Sequence, residues 1–132
     1  MPQSILVVDD NATNLKLLCD ILEYEGYSVA SAADAEEARA SIASARPDLI
    51  LMDIGLPGMD GLTLTRLLKE DEATRDVPVI ALTAFAMKGD DERAFAAGCN
   101  GYISKPINTR TLLVDVARFL GDKSSEAPLE IK

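Results

Sequence analysis

Five short apolar runs alternate with longer amphipathic stretches, and this alternation constrains the fold more than any other feature of the chain. The runs are Ile5-Leu6-Val7-Val8, a weaker one from Tyr27 to Ala30, Leu49-Ile50-Leu51-Met52, Val77 to Leu82, and Tyr102-Ile103. The first, third and fourth are apolar at nearly every position, as in strands covered on both faces by helices. The second alternates more, which predicts an edge strand.

The intervening stretches carry helical spacing. Leu15, Leu18, Cys19 and Leu22 recur at three- and four-residue steps after Asn11, a predicted N-cap, and Gly26 is the predicted stop. Ala35, Ala38, Ile42 and Ala45 form a second stripe, small enough for close packing on a sheet, and Pro47 ends it. Leu64, Leu67 and Leu68 make a third, with Asp60 as its predicted cap. A fourth helix is predicted over 87–97, stopping at Gly98. The fifth carries Leu112, Leu113, Val116, Phe119 and Leu120 after Asn108 or Thr109, with Gly121 closing it. The pattern is (βα)5, an α/β doubly wound parallel sheet with right-handed crossovers. The units are not self-similar, which argues against a solenoid. Residues 4–121 are expected to form one domain. Residues 122–132 lack an apolar period and are expected to be a flexible tail.

Composition removes several classes of chemistry. The chain of 132 residues contains no His, which excludes Ser-His-Asp and Cys-His catalysis and any His metal ligand. Its two cysteines, Cys19 and Cys99, are too few for a Cys-based zinc site. Each lies among apolar residues, which predicts reduced, buried thiols and a cytoplasmic location. With 13 Lys and Arg against 22 Asp and Glu, the net charge is −9 and basic residues do not cluster, so nucleic acid is not an expected partner. The N-terminus lacks the basic and cleavage features of a signal peptide, and no apolar run approaches the roughly 20 residues of a membrane span.

In a doubly wound sheet the ligand site lies beyond the C-terminal ends of the strands. Run one leads into Asp9-Asp10, run three into Asp53, run four into Thr83, and run five through Ser104 into Lys105-Pro106. Singly, an Asp after a strand is an ordinary turn former or cap. Together, three carboxylates, a hydroxyl and an ammonium are delivered to one rim. Two carboxylates about 4 Å apart repel by roughly 4 kcal/mol at an effective dielectric of 20, so compensation is required. Lys105 supplies one positive charge. A hard cation that keeps waters, Mg²⁺, suits the remaining need. With neither His nor a candidate Cys, the available nucleophile is a carboxylate. Asp53, at the end of the central run, is the choice, leaving Asp9 and Asp10 for metal. Attack on phosphorus would give an aspartyl phosphate, with Thr83 donating to a phosphoryl oxygen. The phosphoryl donor belongs to another molecule.

The strings V-V-D-D-N at 7–11, L-M-D-I-G-L-P-G-M-D-G at 51–61, A-L-T-A at 81–84 and Y-I-S-K-P-I at 102–107 resemble the receiver domain of two-component response regulators. The resemblance spans about residues 4–121. It implies a flavodoxin-like sheet in the order 2-1-3-4-5, an order that general accounts of this fold already quote for a receiver protein. It implies that Asp53 is the phosphoacceptor, that Asp10 and Asp53 contact Mg²⁺ directly, that Asp9 helps through water, and that the Gly55 carbonyl completes the set. Thr83 and Lys105 would bind the phosphoryl group, and the bond before Pro106 would be cis. Tyr102 matches an aromatic switch position, and Phe85, Met87 and Lys88 fall on the implied output face. Two positions that tune phosphoryl lifetime in the family are Gly55 and Phe85 here, and neither can orient an attacking water, which predicts slow self-dephosphorylation. Implied partners are a sensor histidine kinase or histidine phosphotransfer protein and a downstream protein effector, with the chain a monomer or weak dimer.

The expected function is that of a stand-alone single-domain regulator, not a turnover enzyme. The alternatives are a receiver belonging to a hybrid kinase, an aspartate-nucleophile phosphohydrolase, and a flavin carrier. The phosphohydrolase is disfavoured by Gly55, where haloacid dehalogenase-type enzymes carry a second Asp. The flavin carrier is disfavoured because Asp9 and Asp10 would repel a flavin phosphate.

Overall fold

Five strands and five helices alternate along the chain in a computed structural model that describes residues 3–54, 61–83, 90–104 and 108–120, with the side chains of Asp90, Asp91 and Ser104 left out. The strands are β1 (Ser4–Val8), β2 (Ser28–Ala32), β3 (Leu49–Asp53), β4 (Val79–Thr83) and β5 (Gly101–Ser104). The helices are α1 (Ala12–Tyr24), α2 (Ala35–Ser44), α3 (Gly61–Glu70), α4 (Asp90–Ala97) and α5 (Thr109–Phe119). The sheet runs β2-β1-β3-β4-β5, every pair parallel, as the resemblance implied.

The two-residue period of the strands divides the core into two layers. Leu6, Val8, Ile50, Met52, Val79 and Ala81 face α2, α3 and α4, where Ala38, Ile42, Leu64, Leu68, Ala94 and Ala97 meet them. Ile5, Val7, Leu49, Leu51, Ile80 and Leu82 face α1 and α5 through Leu18, Leu22, Leu112 and Val116. Full burial of one such aliphatic side chain contributes about 1.5–3 kcal/mol. The weak second run is indeed an edge: β2 is mostly exposed, with only Ala32 fully buried.

Helix ends follow local chemistry. The Asn11 side chain accepts the Asn14 N–H at 3.0 Å and Asn108 accepts the Thr111 N–H at 3.1 Å, so both predicted caps hold. Asp34 caps α2 through the Glu37 N–H at 2.8 Å, while Glu37 accepts the Ala33 N–H at 2.8 Å. Gly26 (φ +99°) and Gly98 (φ +108°) take the left-handed conformation that ends α1 and α4.

Three element boundaries and the burial of Leu67 differ from the sequence expectation. Tyr27 donates to Leu22 O and so belongs to the end of α1, and β2 starts at Ser28. Val77 donates to Thr74 O in a turn, so β4 starts at Val79, after Pro78. Ala45 lies past the end of α2 in extended backbone and is exposed. Leu67 is 40% exposed because it lies well round α3 from the buried positions Gly61, Thr65 and Leu68. Cys99 is buried as expected, whereas Cys19 is only half-buried. The predicted cap Asp60, positions 87–89 of the fourth helix, Gly121 and the segment 122–132 lie outside the described residues.

Candidate functional site

Crossovers in a parallel sheet return each strand in the same direction, so the C-terminal ends of β1, β3, β4 and β5 share one rim. Asp9 and Asp10 follow β1, Asp53 ends β3 and Thr83 ends β4. The sheet register places Val8 beside Met52, Asp53 beside Leu82 and Thr83 beside Ser104. Each polar residue therefore ends an apolar run or lies within two residues beyond it, where the core stops and the rim begins.

One carboxylate oxygen from each of Asp9, Asp10 and Asp53 lies within 4.8 Å of the others. Asp9 is fully buried, Asp53 is 6% exposed, Thr83 is 1% exposed and Asp10 is open to solvent. Asp9 is held from two sides. Its backbone N–H donates to Ala32 O at 3.1 Å, extending the β1–β2 pairing, and its carboxylate accepts the Asn11 N–H at 2.9 Å. Beyond Asp53, the Ile54 N–H donates to Leu82 O at 3.1 Å, so β3 stays pinned to β4 past its last residue.

The donor set fits a hard divalent cation. It offers only carboxylate oxygens, and oxygens around Mg²⁺ at about 2.1 Å are separated by roughly 3–4 Å, slightly less than the 4.8 Å limit seen between these three groups. Bringing three carboxylates together otherwise stores mutual repulsion. The rim can thus hold a cation with Asp9, Asp10 and Asp53 and offer the Asp53 carboxylate as a nucleophile, with Thr83 ending the neighbouring strand β4.

Tyr102 pairs with Ala81 on the α4 side of the sheet, half-buried against the same apolar layer as Ile54. The structure therefore brings Asp9, Asp10, Asp53 and Thr83 to one edge and sets Tyr102 on the neighbouring strand face. Gly55, Phe85, Met87, Lys88, Lys105 and Pro106 lie outside the described residues.

Two contributors were not legible as site residues. Asn11 was expected only as a cap, yet its N–H also fixes the Asp9 carboxylate; the Asp-x-Asn spacing, which favours an Asx-type turn, was the available signal. Gly61 starts α3 against the backbone of Asp53 and Ile54, and its signal was its place as the last residue of the 51–61 string, after Asp60.

Known proteins resemble this chain in sequence and in fold. The polar-differentiation response regulator DivK of Brucella anthropi is 48% identical over 122 residues, covering 92% of this chain and 99% of the relative. A CheY-like receiver domain protein from Methanospirillum hungatei superposes with a TM-score of 0.85 at 34% identity, over 96% of this chain and 99% of that one. The receiver domain of a sensor histidine kinase from Pseudomonas aeruginosa, solved with a magnesium ion coordinated in its active-site cleft, gives 0.84 at 40% identity, over 92% and 100%. The sequence model described as the response regulator receiver domain matches residues 5–117, and the chain belongs to that family of two-component signalling proteins.

Proposed function

We propose that the chain is a single-domain response regulator, with residues 4–121 as its receiver, that accepts a phosphoryl group on Asp53. The observation that carries this reading is the convergence of the Asp9, Asp10 and Asp53 carboxylates at one rim, beside Thr83. The stand-alone form is supported by the likeness to DivK over nearly the whole of both chains.

The donor is a phosphohistidine on a sensor kinase or a phosphotransfer protein, since this chain has no His. An Asp53 carboxylate oxygen forms a bond to phosphorus as the P–N bond breaks, and the imidazole leaves with the electron pair and takes up a proton. Mg²⁺, held by Asp9, Asp10, Asp53 and the Gly55 carbonyl, supplies positive charge to the phosphoryl oxygens when bound. The Thr83 hydroxyl donates to one phosphoryl oxygen and Lys105 pairs with another. Engagement of Thr83 then draws Tyr102 inward, and Phe85 and Met87, with the bond before Pro106 cis, form the surface that a downstream protein effector reads. The protein catalyses only its own phosphorylation and dephosphorylation. Its two unpaired thiols suit the cytoplasm, and no helix among the described residues is long and apolar enough to cross a membrane. It acts as a monomer or weak dimer and does not bind nucleic acid.

The test is incubation with acetyl phosphate and Mg²⁺, read by intact mass. Wild type should gain one phosphoryl group and Asp53→Asn none. Equal labelling of the two proteins would overturn the assignment of Asp53.

A further inference from the structure

α3 begins against the backbone of the residue proposed to carry the phosphoryl group. A Cβ built on Gly61 would overlap the Asp53 carbonyl oxygen and lie 2.9 Å from Ile54 Cα and 3.0 Å from the Asp53 carbonyl carbon. These are backbone atoms, which cannot swing aside as a side-chain tip can.

Which side yields follows from how each is held. The first turn of α3 is anchored in the core: Leu62 and Leu64 are buried, and the fully buried Thr65 donates its hydroxyl to Gly61 O at 2.8 Å. Cys99 Sγ lies 4.0 Å from Thr65 Oγ1, closing the space behind that hydroxyl. Asp53, by contrast, is the last residue of its strand. It pairs in register with Leu82 of β4, one residue past the point where the β1–β3 pairing ends at Val8 and Met52. The α3 N-terminus is therefore the wall that sets how far the Asp53 backbone sits from β4 and from the carboxylates of β1.

We infer that Gly61 is a positioning residue for Asp53: the absent side chain lets the anchored first turn of α3 seat the acceptor carboxylate against Asp9 and Asp10. Any larger residue pushes Asp53 and Ile54 out of place by on the order of 1 Å, a displacement that costs about 100-fold in a positioned reaction. This inference rests on the proposed role of Asp53 and of the cation.

The experiment compares Gly61→Ala with Leu68→Ala, a core truncation two turns along the same helix. Hydrogen exchange of the Ile54 amide is measured without metal, Mg²⁺ affinity by titration, and phosphoryl uptake from acetyl phosphate over a range of concentrations. Gly61→Ala should speed Ile54 exchange selectively, weaken Mg²⁺ by about tenfold or more, and lower the saturating phosphorylation rate by about 100-fold. Leu68→Ala should lower the melting temperature yet keep both site readouts close to wild type. Wild-type Mg²⁺ affinity and rate in folded Gly61→Ala would overturn the inference. Should Gly61→Ala fail to fold, Thr65→Val, which removes the bond to Gly61 O, takes its place: weaker Mg²⁺ binding supports the inference and unchanged binding overturns it. A wild type that neither binds Mg²⁺ nor takes a phosphoryl group overturns the functional reading instead.

Discussion

The buried carboxylate of Asp9 accepts the backbone N–H of Asn11 at 2.9 Å, and the side chain of Asn11 in turn accepts the Asn14 N–H at 3.0 Å. One short turn thus orients a rim carboxylate and starts α1. Local structure and site geometry share the same two hydrogen bonds, so a change in charge at Asp9 can be separated from a change in fold.

Asp9→Asn is the variant that makes this separation. Its amide oxygen can still accept the Asn11 N–H, while one negative charge leaves the cluster. Without metal the variant should be more stable than wild type by about 1–3 kcal/mol, from relief of repulsion. With millimolar Mg²⁺ the advantage should shrink or reverse, because binding stabilises the wild type in proportion to its affinity. Thermal melts with and without Mg²⁺ test both halves; a variant less stable than wild type in the absence of metal would contradict the repulsion account.

Gly55→Asn addresses phosphoryl lifetime. Gly offers no side chain to orient a hydrolytic water, whereas Asn offers both a donor and an acceptor. The variant should lose its phosphoryl group several-fold faster than wild type, about 1 kcal/mol or more in barrier. Decay of phosphorylated protein, followed by intact mass after removal of acetyl phosphate, gives the comparison. Loss from wild type within seconds would be inconsistent with the slow self-dephosphorylation predicted from Gly55 and Phe85.

Lys69 performs a purely structural task at the opposite edge of the sheet. Its ammonium donates to Val77 O at 2.8 Å, Asn100 Oδ1 at 2.9 Å and Arg75 O at 3.2 Å, tying α3 to the loops before β4 and β5. Burial lowers its pKa from the usual 10.5, partly opposed by Cys99 and Asp76. Lys69→Met should cost about 1–2 kcal/mol, less than three fully buried charged bonds because the group is partly solvated. Denaturant unfolding measures it, and phosphorylation of the folded variant should stay at the wild-type rate.

The two thiols carry the expected alkaline sensitivity. Burial raises the pKa of Cys99 above 9.0, partly opposed by the Thr65 hydroxyl and Lys69. Burial, with Glu23 and Asp20 nearby, also raises that of Cys19. Above pH 9.0 the unfolded chain releases these protons while the folded chain keeps them, so their contribution is full below pH 9.0 and is lost as pH rises through the raised values. Cys99→Ala should therefore show a shallower decline in stability above pH 9 than wild type. At pH 8 iodoacetamide should modify half-buried Cys19 before Cys99; the reverse order would argue against the burial described for Cys99.

The local elements, and the residues that reach the rim, are written in the chain's own pattern. Apolar periodicity encodes how each segment buries its own surface, so the alternation of five runs and five stripes was readable, as were the caps Asn11 and Asn108 and the stops Gly26 and Gly98. The step from each run to Asp9, Asp10, Asp53 and Thr83 was readable for the same reason. The strand order came from family motifs rather than from periodicity, because right-handed crossovers are compatible with more than one order. Whatever depends on pairs of distant residues emerges from the packed fold. The crossovers and the β1–β3 register bring the carboxylates of residues 9, 10 and 53 within 4.8 Å, the rotation of α3 leaves Leu67 in solvent, and the anchoring of that helix presses Gly61 against Asp53. Local patterns carry no distance between residues far apart in the chain; packing of helices on a shared sheet supplies it.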